Sequence, residues 1–142
     1  MKSKTSNLII LLTLLLIFAG MLFPFLPINE WKTVINFHAN RDEMEYIATS
    51  LFSEEQALFI ENNNGYWAES KNEHFKKAYL FLKKENYTHI NVYGNTVFFC
   101  KKTDYSGYIG IAFTHDGRLP RSNQGRIYSK KVDDNWYYCN ID

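Results

Sequence analysis

The sequence predicts a small α+β domain carried behind an N-terminal transmembrane helix. Residues 8–28 form one uncharged, strongly apolar run. Two helical patterns follow this run, and after Thr88 the apolar residues recur with a period of two, which is typical of strands. Helices followed by consecutive strands predict an antiparallel sheet covered on one face. We expect one to three helices on a four- or five-stranded meander sheet.

Residues 8–28 are long enough to cross a membrane once. About 20 apolar residues at a rise of 1.5 Å per residue cover the roughly 30 Å of a hydrocarbon core. We therefore expect a single span at about residues 7–27, and within residues 8–28 Thr13 alone interrupts the apolar surface. A cleaved signal peptide is the alternative, but the small pair Ala19-Gly20 has large neighbours where a cleavage site needs small residues.

The distribution of basic residues predicts the orientation of this span. Lys2 and Lys4 precede it, and the residues that follow it closely mix bases with acids. Because basic residues favour the cytoplasmic side, we expect the N-terminus in the cytoplasm and the C-terminal domain outside it. The opposite orientation would place the domain in the cytoplasm. The expected division is a cytoplasmic tip and anchor over residues 1–28, a juxtamembrane linker over 29–39 and an extracytoplasmic domain over 40–142.

Two helices are predicted in the domain. Asn40 is a typical N-cap residue, and the apolar residues after it follow a helical spacing over 41–52. Ser70 and Glu73 form a capping box, which predicts a second helix at about 71–85. The residues between these helices permit either a short third helix or a strand, because periodicity is ambiguous over so short a run.

The second half of the domain is predicted to consist of strands. Gly94-Asn95 is a two-residue turn of the type that joins hairpin strands, and Asp133 begins a turn before the last strand. The expected strands cover residues 88–93, 96–102, 108–114, 126–132 and 136–141.

Cys100 and Cys139 are the two cysteines of the chain. In an exported domain an even number of cysteines favours a disulfide, and closing a loop of about 40 residues would stabilise the fold by roughly 4 kcal/mol. Two plain buried residues are the alternative. The spacing matches no zinc or Cys-x-x-Cys pattern, so neither a metal site nor a cofactor is predicted.

The charge of the chain is balanced overall but unevenly placed. From Pro27 onward, 14 Lys and Arg oppose 15 Asp and Glu, which argues against nucleic-acid binding. Residues 30–69 carry eight acids and two bases, whereas residues 118–132 carry five bases and no acid. Either these charges pair within the domain, or one patch meets an oppositely charged partner.

Candidate binding residues come from one loop and from the aromatic side chains. The loop over residues 118–125 carries arginines, whose planar guanidinium suits carboxylate or phosphate groups. Tryptophan is enriched at protein interfaces, although most rings of a small aromatic-rich domain belong to its core. The sequence contains no recognisable catalytic motif. The candidate binding residues are Arg118, Arg121, Arg126, Trp67 and Trp136.

These observations predict a single-pass membrane-anchored protein that presents a small extracytoplasmic protein-binding domain, of the inhibitor, immunity or assembly type. The expected partners are the membrane and another protein, with no nucleic acid and no small-molecule cofactor. The alternative is a tethered envelope enzyme that acts on glycan or a similar substrate. Acids of the region 42–61 and exposed aromatic side chains would then form its cleft.

Overall fold

The computed structural model describes five parts of the chain, which are residues 9–18, 30–54, 58–103, 107–121 and 125–142. They contain the helices α1 (residues 9–18), α2 (Glu30–Phe52) and α3 (Glu73–Glu85), and a short 3₁₀ helix (Gly65–Glu69). The strands are β1 (Leu58–Glu61), β2 (His89–Tyr93), β3 (Thr96–Lys102), β4 (Tyr108–Thr114), β5 (Ile127–Asp133) and β6 (Trp136–Ile141). They form one antiparallel sheet, so the predicted α+β class is confirmed.

The strands lie side by side in the order β1-β2-β3-β4-β6-β5. The sheet of the described residues has six strands, so the prediction of four or five is wrong. Strand β1 has only four residues, which is too short to show a clear period. The predicted meander is correct from β2 to β4 and wrong after it. The chain forms β5 at the far edge, and β6 returns to pair with β4.

Helix α2 begins at Glu30 and not at Asn40. The residues expected to form a linker, 29–39, are therefore helical from Glu30 onward. Packing explains the earlier start, because Phe37 is fully buried and its ring centroid lies 4.9 Å from that of Trp136. Asn40 thus lies inside a helix that continues on both sides of it, and the sequence prediction of a cap there is wrong.

Helix α3 is capped by Asn72 and not by Ser70. The Asn72 Oδ1 accepts hydrogen bonds from the backbone N–H groups of His74 and Phe75, at 2.9 and 3.4 Å. Ser70 instead accepts a hydrogen bond from the Asn72 N–H at 3.2 Å, which fixes the turn before the helix. The predicted helix is confirmed over most of its length, and it ends at Asn86 in a left-handed conformation with φ 56°.

Helices α2 and α3 pack on one face of the sheet and form the main core with it. Trp136 is fully buried at the centre, and the ring centroids of Phe37 and Phe113 each lie 4.9 Å from its own. On the other face the Tyr137 hydroxyl donates a 3.0 Å hydrogen bond to the Gly117 carbonyl oxygen, which holds the loop after β4 against the sheet. A second buried cluster lies on this face and comprises Phe98, Cys100, Ala112, Tyr137, Cys139 and Ile141.

Cys100 and Cys139 are free, buried thiols, contrary to the predicted disulfide. They lie on β3 and β6, and both are opposite Gly110 of the intervening strand β4. Two strand spacings separate their Cα atoms by about 9.5 Å, whereas a disulfide spans at most about 6.8 Å. Burial raises the pKa of the Cys139 thiol to about 12, and burial together with the neighbouring Cys139 also raises the pKa of Cys100.

The predicted membrane span falls largely outside the described residues, which include only α1 from it. The large apolar side chains of α1 are 51–67% exposed. No helix within the described ranges is long and apolar enough to cross a membrane. The anchor at about residues 7–27 and the orientation of the chain therefore stay predictions.

Candidate functional site

A groove of about 910 Å³ opens beside the edge strand β1. It lies between the end of α2, strand β1, the 3₁₀ helix and the start of α3. We call it the aromatic groove, and the residues that define it here are Glu54, Tyr66, Trp67, Glu69, Asn72 and Phe75.

The 3₁₀ helix places the two largest rings of the aromatic groove. The chain leaves β1 through a run of asparagines, and the Asn64 side chain accepts a 3.2 Å hydrogen bond from the Tyr66 N–H. This bond begins the helix, and the Ser70 N–H ends it by donating to the Trp67 carbonyl oxygen. One turn of helix therefore directs Tyr66 outward, where it is 71% exposed, and leaves Trp67 half-buried.

The three rings of the groove are arranged edge to face. The ring centroids of Tyr66 and Trp67 lie 5.3 Å apart at 76°, and those of Trp67 and Phe75 lie 5.5 Å apart at 89°. This geometry is favourable for aromatic pairs because the positive ring edge meets the negative ring face. The Trp67 indole N–H is buried and has no hydrogen-bond partner among the described residues. The rings thus form a rigid wall fixed by one another and by α3.

Asn72 connects the groove to the start of α3. Its Oδ1 caps the helix, while its Nδ2 donates a 2.8 Å hydrogen bond to Glu54 Oε1. One side chain therefore orders the helix and holds a carboxylate that lines the groove. Glu69 supplies a second, exposed carboxylate from the end of the 3₁₀ helix. The groove consequently combines an apolar wall with two acids.

Trp67 is the one predicted binding residue that lines the aromatic groove. Trp136 is 0% exposed beneath α2, so the prediction that it contacts a partner is wrong. Residue type does not separate the two tryptophans. Their different environments follow from the β6 register, which points Trp136 toward the helices, and from the 3₁₀ turn, which the sequence did not indicate.

Arg118 and Arg121 line a smaller depression of about 460 Å³ on the other side of the β2–β3 turn, together with Tyr93 and Asp116. Asp116 accepts a 2.6 Å hydrogen bond from Asn95 and a 3.1 Å bond from the Arg118 N–H, and these bonds lower the pKa of its carboxyl. The Arg118 Nε lies 3.5 Å from the same carboxylate. The positive charge of Arg118 is thus partly balanced within its own loop.

Arg126 lies apart from the other two arginines. It precedes β5, whose first residue is opposite Ile141, and Ile141 is in turn opposite Tyr108 at the start of β4. Arg118 follows the other end of β4, and seven strand residues extend over about 20 Å. The structure therefore brings Arg118 and Arg121 together but does not add Arg126 to the same surface.

No family model, curated protein or solved structure matches this chain. The type of ligand that the groove can bind therefore has to follow from the residues that line it. Within the described parts of the chain, no three His, Cys, Asp or Glu side chains lie close enough to hold a metal ion. An apolar wall, two carboxylates and an adjacent open sheet edge suit the binding of a ligand that offers both apolar and polar groups.

The sequence signal for the groove was present but weak. Residues 54–73 carry five acids and one base, and Tyr66-Trp67 follows a run of turn-forming asparagines. The sequence pattern that contains Asn72 and Phe75 predicts only a helix. Because the groove is formed by four separate elements, no local pattern brings its residues together.

Proposed function

We propose that this chain is a single-pass membrane-anchored protein whose extracytoplasmic domain binds a partner protein at the aromatic groove. The observation that carries the proposal is the position of the groove beside β1. This strand pairs with β2 on one side, and the described residues place no strand on its other side. An extended partner segment that pairs with such an edge would place alternate side chains in an adjacent groove.

The exposed aromatic wall supports a protein partner. Tyrosine and tryptophan contribute most to binding when they fill pockets at the centre of an interface, because they bury a large area with few rotatable bonds. Tyr66 is 71% exposed in the groove, and Phe59 of β1 is 41% exposed on the other face of the same edge strand, against His89. Apolar exposure at a sheet edge favours association, since charged residues or cover normally protect such edges.

The anchor rests on the apolar character of residues 8–28 and on the exposed apolar surface of α1. Nothing ionisable lies in this run, so the segment would serve as a tether and not as a transport path. The basic residues before it favour a cytoplasmic N-terminus. A tether of this kind would keep the groove close to one face of the membrane.

Photo-crosslinking from three exposed tyrosines tests the site. A photoreactive phenylalanine analogue replaces Tyr66 at the aromatic groove, Tyr93 at the arginine depression or Tyr128 on the opposite edge strand β5, in the full chain in its own cells. We expect one discrete adduct of a second protein from position 66. Adducts from position 93 alone would place the binding surface at Arg118 and Arg121. Equal labelling from all three positions would contradict specific binding at the aromatic groove.

The two carboxylates of the groove favour a second candidate, a tethered enzyme acting on glycan. Glu54 and Glu69 line the same groove as Tyr66 and Trp67, and glycoside hydrolysis uses a pair of acids across the scissile bond. Release of reducing sugar from envelope glycan by the wild-type chain, and its loss in E54Q and E69Q, would support this function. If the wild-type chain releases no reducing sugar, the enzyme function is wrong.

A further inference from the structure

We infer that the aromatic groove binds a basic side chain, Arg or Lys, of an extended partner segment. This inference rests on the proposed function, because it specifies what the partner places in that groove. It follows from the charge of the groove, from one oxygen of the Glu54 carboxylate that has no partner among the described residues, and from the geometry of the rings.

The charged side chains that line the groove are two acids, Glu54 and Glu69, and one base, the exposed Lys71. The sequence around them, residues 54–73, carries five acids and this one base. The bases of residues 118–132 lie elsewhere: Arg118 and Arg121 beside the β2–β3 turn, and Lys130 and Lys131 on the opposite edge strand β5. The excess of acid is therefore local to the groove and is not a property of the whole domain. Complementary charge steers a basic segment toward the β1 edge and selects it over an acidic one.

Glu54 is positioned to pair with a cation. Its Oε1 accepts the hydrogen bond from Asn72, whereas its Oε2 has no hydrogen bond or ion pair with any described residue. Asn72 is itself fixed by capping α3, so the carboxylate loses little freedom when a ligand arrives. Glu69 lines the same groove with a second, exposed carboxylate. A guanidinium or ammonium group in the groove would be attracted by both acids and would donate a charge-assisted hydrogen bond to Glu54.

The rings complete a site of the kind that binds organic cations. Aromatic faces attract Lys and Arg, and the aliphatic stem of either side chain packs on apolar surface. The same chain already shows this contact elsewhere, with Lys77 Nζ 3.7 Å from the centroid of the Tyr46 ring. In the groove, Tyr66 and Trp67 offer an unoccupied wall next to the acids. A neutral ligand of the same shape would make the apolar contact but would not be attracted by the two acids.

Peptide binding to the full-length protein in detergent tests the inference. The probes are a tri-arginine peptide with blocked ends and its tri-citrulline counterpart, which has nearly the same shape and no charge. We expect the arginine peptide to bind at least about tenfold tighter, an affinity difference equivalent to about 1.4 kcal/mol. Raising the salt concentration should weaken the arginine peptide selectively, because exposed charges are screened. Equal affinity of the two peptides would overturn the inference.

The double variant E54Q/E69Q should remove the preference for arginine, whereas D42N/E45Q on α2 removes the same charge elsewhere and should retain it. Unchanged preference in E54Q/E69Q would also overturn the inference. If the double variant does not fold, the single variant E69Q tests an exposed side chain that no fold contact requires. Each variant is first checked by circular dichroism.

The two proposals fail in different ways. If position 66 crosslinks a partner but E54Q/E69Q captures it as well as the wild type does, the cation inference is wrong and the proposed function stands. If the arginine peptide binds in a Glu-dependent manner but position 66 crosslinks no protein, the groove chemistry stands and the proposed function is wrong.

Discussion

The side-chain amide of Asn36 on α2 donates a 2.9 Å hydrogen bond to the carboxylate of Glu85 at the end of α3. The Asn36 Oδ1 in turn accepts a 3.0 Å bond from the buried Tyr87 hydroxyl. Burial alone would raise the pKa of Glu85, but hydrogen bonds from Asn36 and Lys84 outweigh it and the net shift is downward. One amide therefore joins both helices to the segment that leads into β2.

Substitution of Asn36 by Ala should destabilise the fold. The Tyr87 hydroxyl would be left buried without its acceptor and Glu85 would lose one donor, which together should lower the free energy of unfolding by about 1–3 kcal/mol. Urea denaturation followed by far-UV circular dichroism measures the change. The same substitution at the exposed Asn63 is the matched control, and an equal effect at both positions would contradict the assigned role of the network.

Gly110 should not tolerate a side chain. A Cβ at this position would overlap the Phe99 carbonyl oxygen, so the backbone of β3 or β4 must shift. We expect G110A to lower the unfolding free energy by at least about 2 kcal/mol. G65A is the control, since a Cβ there meets nothing within 4 Å. A thermal melt of G110A that matches the wild type would show that β3 and β4 are not in the observed register.

Asn72 should have two separable effects. N72A removes the cap of α3 and should destabilise the protein by about 1 kcal/mol. N72D keeps an acceptor at the cap but replaces the donor to Glu54 by a second carboxylate, which repels that of Glu54. We therefore expect the cap to be retained, Glu54 to turn away from residue 72, and the binding of the tri-arginine peptide to change. Parallel melts and peptide titrations measure the two effects. Identical behaviour of both variants in the titration and in the melt would contradict this division.

His89 should make the domain less stable in acid. Its ring lies between those of Phe59 and Tyr108, with centroids 4.6 and 4.7 Å away, and burial lowers its pKa from 6.5 to about 4. Between these pH values the unfolded chain takes up a proton that the folded chain does not. The free energy of unfolding should therefore fall as the pH drops from 6.5 to 4, by up to about 3 kcal/mol.

The variant H89F should show a smaller loss over the same pH range, because it has no proton to bind in the unfolded state. Urea midpoints at pH 7, 5.5 and 4 measure the difference between it and the wild type. H38F changes an exposed histidine in the same way and should retain the acid sensitivity. Equal pH dependence of wild type and H89F would contradict the buried, neutral state of His89.

The two thiols should be unreactive in the folded protein. Burial raises the pKa of both, and the thiolate is the reactive form. We expect almost no alkylation by iodoacetamide under native conditions and two labelled cysteines after unfolding without reductant, as measured by intact mass. If the unfolded protein is labelled only after a reductant is added, the two cysteines form the predicted disulfide.

Local signals in the sequence predicted the local structure well. The turn at Gly94, with φ 57°, required a residue that adopts positive φ, and the sequence places glycine there between two strands of period two. Helix α3 was likewise predicted by its apolar spacing. These elements form from neighbouring residues, so their patterns suffice.

Tertiary packing decided what the sequence could not predict. Phe37 extends α2 backward past Asn40 because its ring is needed against Trp136, which lies 99 positions later in the chain. The order of the last two strands has the same cause. Whether β5 or β6 pairs with β4 depends on which strand has the side chains that can be buried there. The aromatic groove combines residues from four elements, so its composition was visible in the sequence while its shape was not.

If the predicted span is correct, the length of α2 limits the distance between the groove and the bilayer. The 23 residues of α2 extend over about 34 Å, beginning at Glu30 just after the predicted span and ending beside Glu54 of the groove. Because the buried Phe37 fixes the first turns of α2 in the core, the chain from Glu30 onward belongs to the domain. If residues 7–27 cross the membrane, the partner must present its segment within a few nanometres of the same membrane surface.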